Sequence, residues 1–359
     1  MIRVLHYGMS PNLGGIETYL LNLARTIDSS RYRFDFVYSD YGSLPVFAPD
    51  LPASRFFGVT PRRVSPRRNQ RDLDDLFTQE QFDILHFHAN TASYVAPVRA
   101  ALRHGVRVIY HSHNAGASRS RITRALHLWN RNTLPWRSIT KVAVSSEAGR
   151  WMFGSHSFEV INNGIDVDAF AFDQAASATV RAELGIAEDA LVLGSVAAFL
   201  PAKNHAFILR VFADVADRDP DARLILTGSG PLEPGIREQV RNLELSDRVL
   251  FLGHRPDVPA LLSAMDRFLM PSLHEGFPLA AVEAQASGLP CLLSDTITPE
   301  VVATPFATRM ALDEGPSAWA GAVLAGADPD RISGAKLLRD STFTSHVACQ
   351  RVVALYTAR

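Results

Sequence analysis

Short apolar strands alternate with amphipathic helices along this chain, and the pattern runs once through and then restarts at mid-chain. Strands are predicted at 2–7, 33–38, 83–88, 106–111, 141–145 and 158–162, with helices over 15–27, 91–103, 121–132 and 146–153. The restart predicts strands at 190–197, 222–227, 248–252, 266–270 and 290–294, separated by helices over 204–217, 231–243, 258–264 and 278–287. Runs such as Leu191-Val-Leu-Gly-Ser-Val196 and Arg223-Leu-Ile-Leu226 suit parallel strands covered by helices on both sides. Alternation with short loops implies doubly wound α/β units. A chain of 359 residues exceeds what one core usually sustains. Two such domains are therefore expected, over 1–168 and 169–340, with a last helix in 341–359 packing back towards the first. Ligands of such sheets bind beyond the carboxyl ends of the strands. Where two of these domains face each other, the cleft between them is the expected site.

Composition narrows the function classes. With 47% hydrophobic and 20% charged residues and a formal net charge of −1, the chain reads as globular rather than disordered. Cys291 and Cys349 each lie in apolar segments, which implies reduced, buried thiols and no disulfide framework. No stretch is long and apolar enough for a membrane span, and residues 1–8 read as a strand rather than a secretion signal, so a cytoplasmic location is expected. The near-neutral total hides an asymmetry: residues 1–170 hold 20 Lys/Arg against 14 Asp/Glu, whereas 171–359 hold 16 against 23. Arg62, Arg63, Arg67, Arg68 and Arg71 crowd a Pro-punctuated loop. Arg119, Arg121, Arg124, Arg131, Arg137 and Lys141 flank Leu126, Leu128, Trp129 and Trp136. Such segments suit the anionic inner face of a membrane or a phosphate-bearing acceptor; the alternative is a solvated, Arg-rich surface. No nucleic-acid-binding module accompanies the charge, so nucleic acid is not an expected partner.

The motifs fall at strand ends. Glu275 and Glu283 stand eight positions apart in His274-Glu-Gly-Phe-Pro-Leu-Ala-Ala-Val-Glu-Ala284, the first before a helix and the second inside it. Backbone N–H groups around Gly276, Phe277 and Pro278 at that helix mouth favour an anion, and the carboxylates can accept hydrogen bonds from sugar hydroxyls. Lys203 follows the first strand of the second half, where an ammonium would neutralise a diphosphate. Gly228 and Gly230 keep the next loop slim. In the first half, Gly14 and Gly15 in Asn12-Leu-Gly-Gly-Ile-Glu17 open a helix and tolerate positive φ. His111 and His113 share one side of a strand end. They suit contact with a sugar hydroxyl; as metal ligands they lack a convincing third and fourth partner, although His86 and His88 flank another strand end.

These pieces, in this order, resemble the retaining glycosyltransferases of family 4. The resemblance rests on Gly14-Gly15-Ile16-Glu17, His111-Ser112-His113-Asn114, Val160-Ile-Asn-Asn-Gly-Ile-Asp166, Lys203-Asn204, Gly228-x-Gly230-Pro231, Phe251-Leu-Gly253 and above all Glu275-Gly-Phe-Pro278…Glu283-Ala284, the family's Glu-x7-Glu signature. The Gly-Leu-Pro-Cys291 strand is similar to that of its exopolysaccharide-building members. The resemblance implies the GT-B architecture of two facing Rossmann-like domains. The first would hold a saccharide or lipid-linked acceptor, the second a UDP- or GDP-sugar donor. It implies that Glu275 binds the donor sugar, Glu283 the ribose, and Lys203 with the Gly276–Phe277 amides the diphosphate. It places His113 near the reacting face of the sugar, Gly14 and Gly15 against the phosphate, and Arg255 in the base-binding loop. In the family the acceptor attacks from the leaving-group side and the departing phosphate takes the proton, generally without a metal. No cofactor and no metal are therefore expected.

One position departs from the family. An Arg usually precedes the lysine helix, and Ala198 stands there in Val196-Ala197-Ala198-Phe199. Losing one charged contact of this kind costs on the order of 1.5–3 kcal/mol. Ala198 motivates one alternative to a sugar transferase, a catalytically weak or silent nucleotide-sugar-binding protein; a second, a sugar-nucleotide isomerase or phosphorylase on the same fold, has no distinctive sequence feature behind it.

Overall fold

A computed structural model describes residues 1–11, 14–39, 42–114, 120–326 and 330–358. The chain divides into two compact units, Met1–Gly164 with Ser345–Arg359, and Ile165–Thr344. The first carries an all-parallel sheet of β1 (Ile2–Tyr7), β2 (Tyr32–Ser39), β3 (Phe56–Val59), β4 (Ile84–Ala89), β5 (Arg107–Ser112), β6 (Ile139–Ala143) and β7 (Glu159–Val160), in the order β3-β2-β1-β4-β5-β6-β7. The second carries β8 (Val192–Val196), β9 (Arg223–Thr227), β10 (Val249–Gly253), β11 (Arg267–Met270), β12 (Cys291–Ser294) and β13 (Ala307–Met310), in the order β10-β9-β8-β11-β12-β13. Both sheets thus reverse direction beside their first strand, between β1 and β4 and between β8 and β11. This is the doubly wound order whose switch point opens a crevice for ligand.

Each core explains its sheet. Leu193, Leu224 and Leu226 pack under Phe207, Val211 and Phe212 of helix His205–Ala216, with Trp319 fully buried among them. In the first unit Val4, Phe36 and Ile109 pack against Tyr19 and Leu20 of helix Gly15–Thr26 and against Cys349, Val352 and Tyr356 of helix Ser345–Thr357. The last helix is therefore part of the first core. Both cysteines are free and buried.

Several segments differ from the sequence reading. Arg67, Arg68 and Arg71 lie in a helix, Pro66–Gln79, not a loop. Ser65 caps it by accepting from the Arg68 N–H, and Pro66 takes the first helical position, where its missing N–H costs nothing. The polar stretch after residue 168 likewise contains a helix, Gln174–Glu183, capped by Asp173. The short strands β3 and β13 offered too little periodicity to be read.

Candidate functional site

At the switch point of the second sheet, the loops leaving β8 and β11 are tied together. Asn204 adopts a left-handed conformation (φ 55°) between the 3-10 turn Pro201–Lys203 and helix His205–Ala216, so Lys203 lies in that turn rather than starting the helix. Asn204 Nδ2 donates to the Pro271 carbonyl at 3.1 Å, and Leu273 N–H donates to the Ala202 carbonyl at 2.7 Å. These two bonds bring Lys203 Nζ to 2.6 Å from Glu275 Oε1. The lysine keeps further N–H donors for an anion, and the carboxylate keeps lone pairs for hydroxyls.

Helix Leu279–Ala286 begins behind Glu275, with Pro278 at its N-cap. Phe277 is buried and stacks on Phe343 with ring centres 5.6 Å apart, anchoring the loop. Glu283 is buried in the second turn, and among the described residues its carboxylate has no hydrogen-bond or ion-pair partner. Burial alone pushes its carboxyl up to about 7. Two positions further on, Gln285 donates from Nε2 to the Ala281 and Val301 carbonyls, while its Oε1 accepts from the Ala303 and Thr304 N–H groups. The sequence reading missed Gln285 and Asn204. The signals were a lone amide in an otherwise apolar helix and an Asn at a strand-to-helix turn, the residue type that best tolerates positive φ after glycine.

Gly228 and Gly230 line the β9 loop for a steric reason. At Gly228 (φ +138°) a Cβ would meet the Ala197 carbonyl oxygen at 2.2 Å, and at Gly230 it would meet the Phe199 backbone at 2.7 Å. Ala198 itself is exposed. Arg255, which the resemblance places in the base-binding loop, is already engaged. It binds Asp257 through Nε at 2.8 Å and Nη2 at 2.7 Å, and Glu183 through Nη1 at 2.8 Å. Its charge is offset by two carboxylates, so it does not stand free for a diphosphate.

The first unit holds the remaining residues. Gly14 caps helix Gly15–Thr26 in an extended conformation (φ −145°), and a Cβ on Gly15 would meet nothing within 4 Å. Gly14 thus makes no use of the positive φ it tolerates, and Gly15 leaves open space. Asn12 and Leu13 of that motif, and Arg119 of the basic segment, lie outside the described residues. Glu17, which the sequence reading gave no separate role, is buried and accepts from the Ser10 N–H at 2.6 Å, bracing the loop. His113 is not an isolated strand-end imidazole. It bonds His88 at 2.9 Å and belongs to a buried set with His6, His86 and His111. Desolvation takes His6 and His113 down to about 3 and holds His86, His88 and His111 well below the usual imidazole range.

At the carboxyl edge of the same sheet, Tyr7, Ser39, Pro61, Arg62, Arg63 and Tyr94 line a depression, with the Arg62 guanidinium 4.7 Å from the Tyr94 ring centre. On helix Arg121–Thr133, Ile122, Leu126 and Trp129 form an exposed stripe at helical spacing, and Leu128, Arg121 and Arg124 are exposed as well. Trp136 and Lys141 do not join it. Trp136 is buried and donates from Nε1 to Arg131, and Lys141 donates to the Trp136 and Ile139 carbonyls. Among the described residues no helix is long and apolar enough to cross a membrane.

Residues 13–169 match the family model Glycosyltransferase Family 4, and residues 177–325 match Glycosyl transferases group 1. The chain is 35% identical over 343 residues to the putative glycosyltransferase EpsF of Bacillus subtilis (strain 168), covering 92% of this chain and 88% of that protein. It is 25% identical over 312 residues to the UDP-Gal:alpha-D-GlcNAc-diphosphoundecaprenol alpha-1,3-galactosyltransferase of Escherichia coli, covering 82% and 79%. Among solved structures, Anabaena Alr3699/HepE, crystallised with UDP and glucose, superposes with a TM-score of 0.81 at 19% identity and 99% coverage of both chains. WaaG, a glycosyltransferase of lipopolysaccharide biosynthesis, gives 0.75 at 15% identity and 100% coverage of both.

Proposed function

Because the chain belongs to glycosyltransferase family 4 and is a glycosyltransferase of the GT-B type, we propose that it transfers a hexose from a nucleoside-diphosphate sugar, with retention of configuration, to a saccharide or lipid-linked saccharide during polysaccharide assembly. The observation that carries this reading is the Lys203–Glu275 pair at the switch point of the second sheet, on the same loop–helix segment as the buried and partnerless Glu283. Departure of a nucleoside diphosphate builds negative charge on its phosphates, and a preorganised ammonium stabilises that charge. Glu275 would fix Lys203 and accept from the sugar hydroxyls; Glu283 would regain hydrogen bonds from the ribose. Gly228 and Gly230 let the β9 loop pack against the Ala197–Phe199 backbone at the edge of the site, and the Gly276–Phe277 backbone adds dipole at the helix mouth. The carboxylates position the donor, so the leaving phosphate takes the acceptor proton and neither Glu acts as a hydrolase nucleophile. No metal enters these steps.

In the family's arrangement His113 would meet the reacting sugar, and Gly14 and Gly15 the phosphate. The Arg62 and Arg63 depression suits a diphosphate-bearing acceptor, a chemistry that the Escherichia coli relative also uses. The Ile122, Leu126 and Trp129 stripe, flanked by Arg121 and Arg124, suits an anionic membrane surface where a lipid-linked acceptor resides. Vesicle binding that falls with salt and with Arg121→Ala/Arg124→Ala supports this; no binding at low salt removes it.

The test incubates the purified protein with UDP-, GDP- and ADP-sugars and a lipid-diphosphate saccharide, then reads the anomeric configuration of the product by NMR. A retained linkage is expected; an inverted one overturns the mechanism. A second reading, a silent nucleotide-sugar binder, is favoured by exposed Ala198 together with the diverted Arg255. Donor binding with neither transfer nor slow donor hydrolysis would establish it.

A further inference from the structure

The histidines of the first sheet form two hydrogen-bonded rows beneath helices Gly15–Thr26 and Ser345–Thr357. In one, His88 Nε2 meets His6 Nδ1 at 3.0 Å and His88 Nδ1 meets His113 Nε2 at 2.9 Å. In the other, His86 Nε2 meets His111 Nδ1 at 3.2 Å and His86 Nδ1 meets the Tyr356 hydroxyl at 2.8 Å. Three strands supply them: β1 gives His6, β4 gives His86 and His88, and β5 and its end give His111 and His113. The rows leave His111 Nε2, His113 Nδ1 and His6 Nε2 buried with no partner. Orphaned polar atoms of this kind are rare and ask for an explanation. One nitrogen from each of His88, His111 and His113 lies within 4.8 Å of the others.

We propose that His88, His111 and His113 bind one divalent transition-metal ion of the borderline class that imidazole prefers, Zn2+ being the probe of choice. His111 would ligate through its orphaned Nε2, and His88 and His113 through the nitrogens that now face each other at 2.9 Å. Those two now point at each other, so the rings must turn as well as part to the roughly 3.3 Å that metal–nitrogen bonds of about 2.0–2.1 Å subtend in a tetrahedral site. The rings are buried and neutral; the proton shared between His88 Nδ1 and His113 Nε2 must leave that pair before both can ligate, and a tautomer shift to the unpartnered His113 Nδ1 keeps it on the ring. The outer nitrogens of His111 and His88 already have imidazole partners of the kind that orient metal-bound histidines: His111 Nδ1 lies 3.2 Å from His86 Nε2 and His88 Nε2 lies 3.0 Å from His6 Nδ1. Water fills the fourth position from the His113 side, the least buried of the three. The alternative triad His6, His86 and His88 is sealed at 0–1% exposure and offers no such entry.

This departs from the metal-free expectation of the sequence and shares His113 with the transferase reading; its readouts, metal content and the ligand spectrum, do not depend on transfer. The full chain, expressed without an affinity tag and treated with chelator, is titrated with Zn2+. One ion per chain, a raised thermal midpoint and an X-ray absorption spectrum with three imidazole nitrogens at about 2.0–2.1 Å are expected. His111→Gln should weaken binding at least 100-fold and His86→Gln, behind it, about 10–100-fold, whereas His156→Ala leaves it unchanged. Substoichiometric ion, a sulfur- or oxygen-only shell in the wild type, or equal affinity in His111→Gln overturns the proposal.

Discussion

The two sheets share one strand order and furnish their switch points in opposite ways. In the second, Lys203 and Glu275 meet as an ion pair and Glu283 is buried without a partner, so the site is built from charge. In the first, five stacked imidazoles are buried and held neutral. The winding decides where a crevice can form; the side chains at the strand ends decide whether it offers charge or neutral donors and acceptors.

The largest contrast is in pH. Each of these five histidines has a folded pKa below its unfolded value. The unfolded state therefore binds more protons, and stability is lost as pH falls below about 6.5 towards 3. At about 1.4 kcal/mol per pH unit per imidazole, His6 and His113 alone amount to about 4 kcal/mol by pH 5. Glu283 has the reverse sign. Its folded value near 7 lies above the ordinary 4.5 of a glutamate, so its contribution is full below 4.5 and lost as pH rises through 7. In chelator-treated protein, calorimetry should show a first-unit transition that falls steeply on acidification. If the two units respond alike, the comparison fails.

Activity divides them next. Glu275→Ala should cut transfer by about 10³-fold, since it removes the sugar contact and releases Lys203; radiolabelled-donor transfer measures this, and retained activity removes Glu275 from the site. Tyr356→Ala should destabilise the first unit by about 3–5 kcal/mol, through lost packing and the unpaired His86, and leave the second unchanged. Glu283→Gln should raise stability at pH 8 by on the order of 1–3 kcal/mol while weakening nucleotide binding, measured by denaturant titration and calorimetry. Ala198→Arg is the smallest change expected, tightening donor binding by about tenfold. Unchanged affinity would show that another group already fills that role.

Most of this was legible in the sequence where the signal is periodic and local. Apolar runs placed eleven strands to within a few residues, and the Glu275–Glu283 spacing located the loop and helix of the second site. Partnerships that depend on distant chain segments were not legible. Nothing in Arg255 announces Glu183, 72 positions away, and nothing in His86 announces Tyr356, 270 away. Helix Pro66–Gln79 was hidden because proline, arginine and serine read as a loop until the N-cap is recognised. Histidines at alternating positions pointed to one face of one strand, but only strand order reveals that three strands contribute.

Helix Ser345–Thr357 has a consequence for synthesis. The first unit lacks Cys349, Val352 and Tyr356 of its core until the last residues are translated. Residues 165–344 must be made first, which at about 5–20 residues per second takes roughly ten to forty seconds. During that interval a strand-complete sheet keeps an uncovered apolar face while the later unit, continuous in sequence, can already close. The order of birth and the order of completion are therefore reversed, and the half that emerges first depends longest on chaperones.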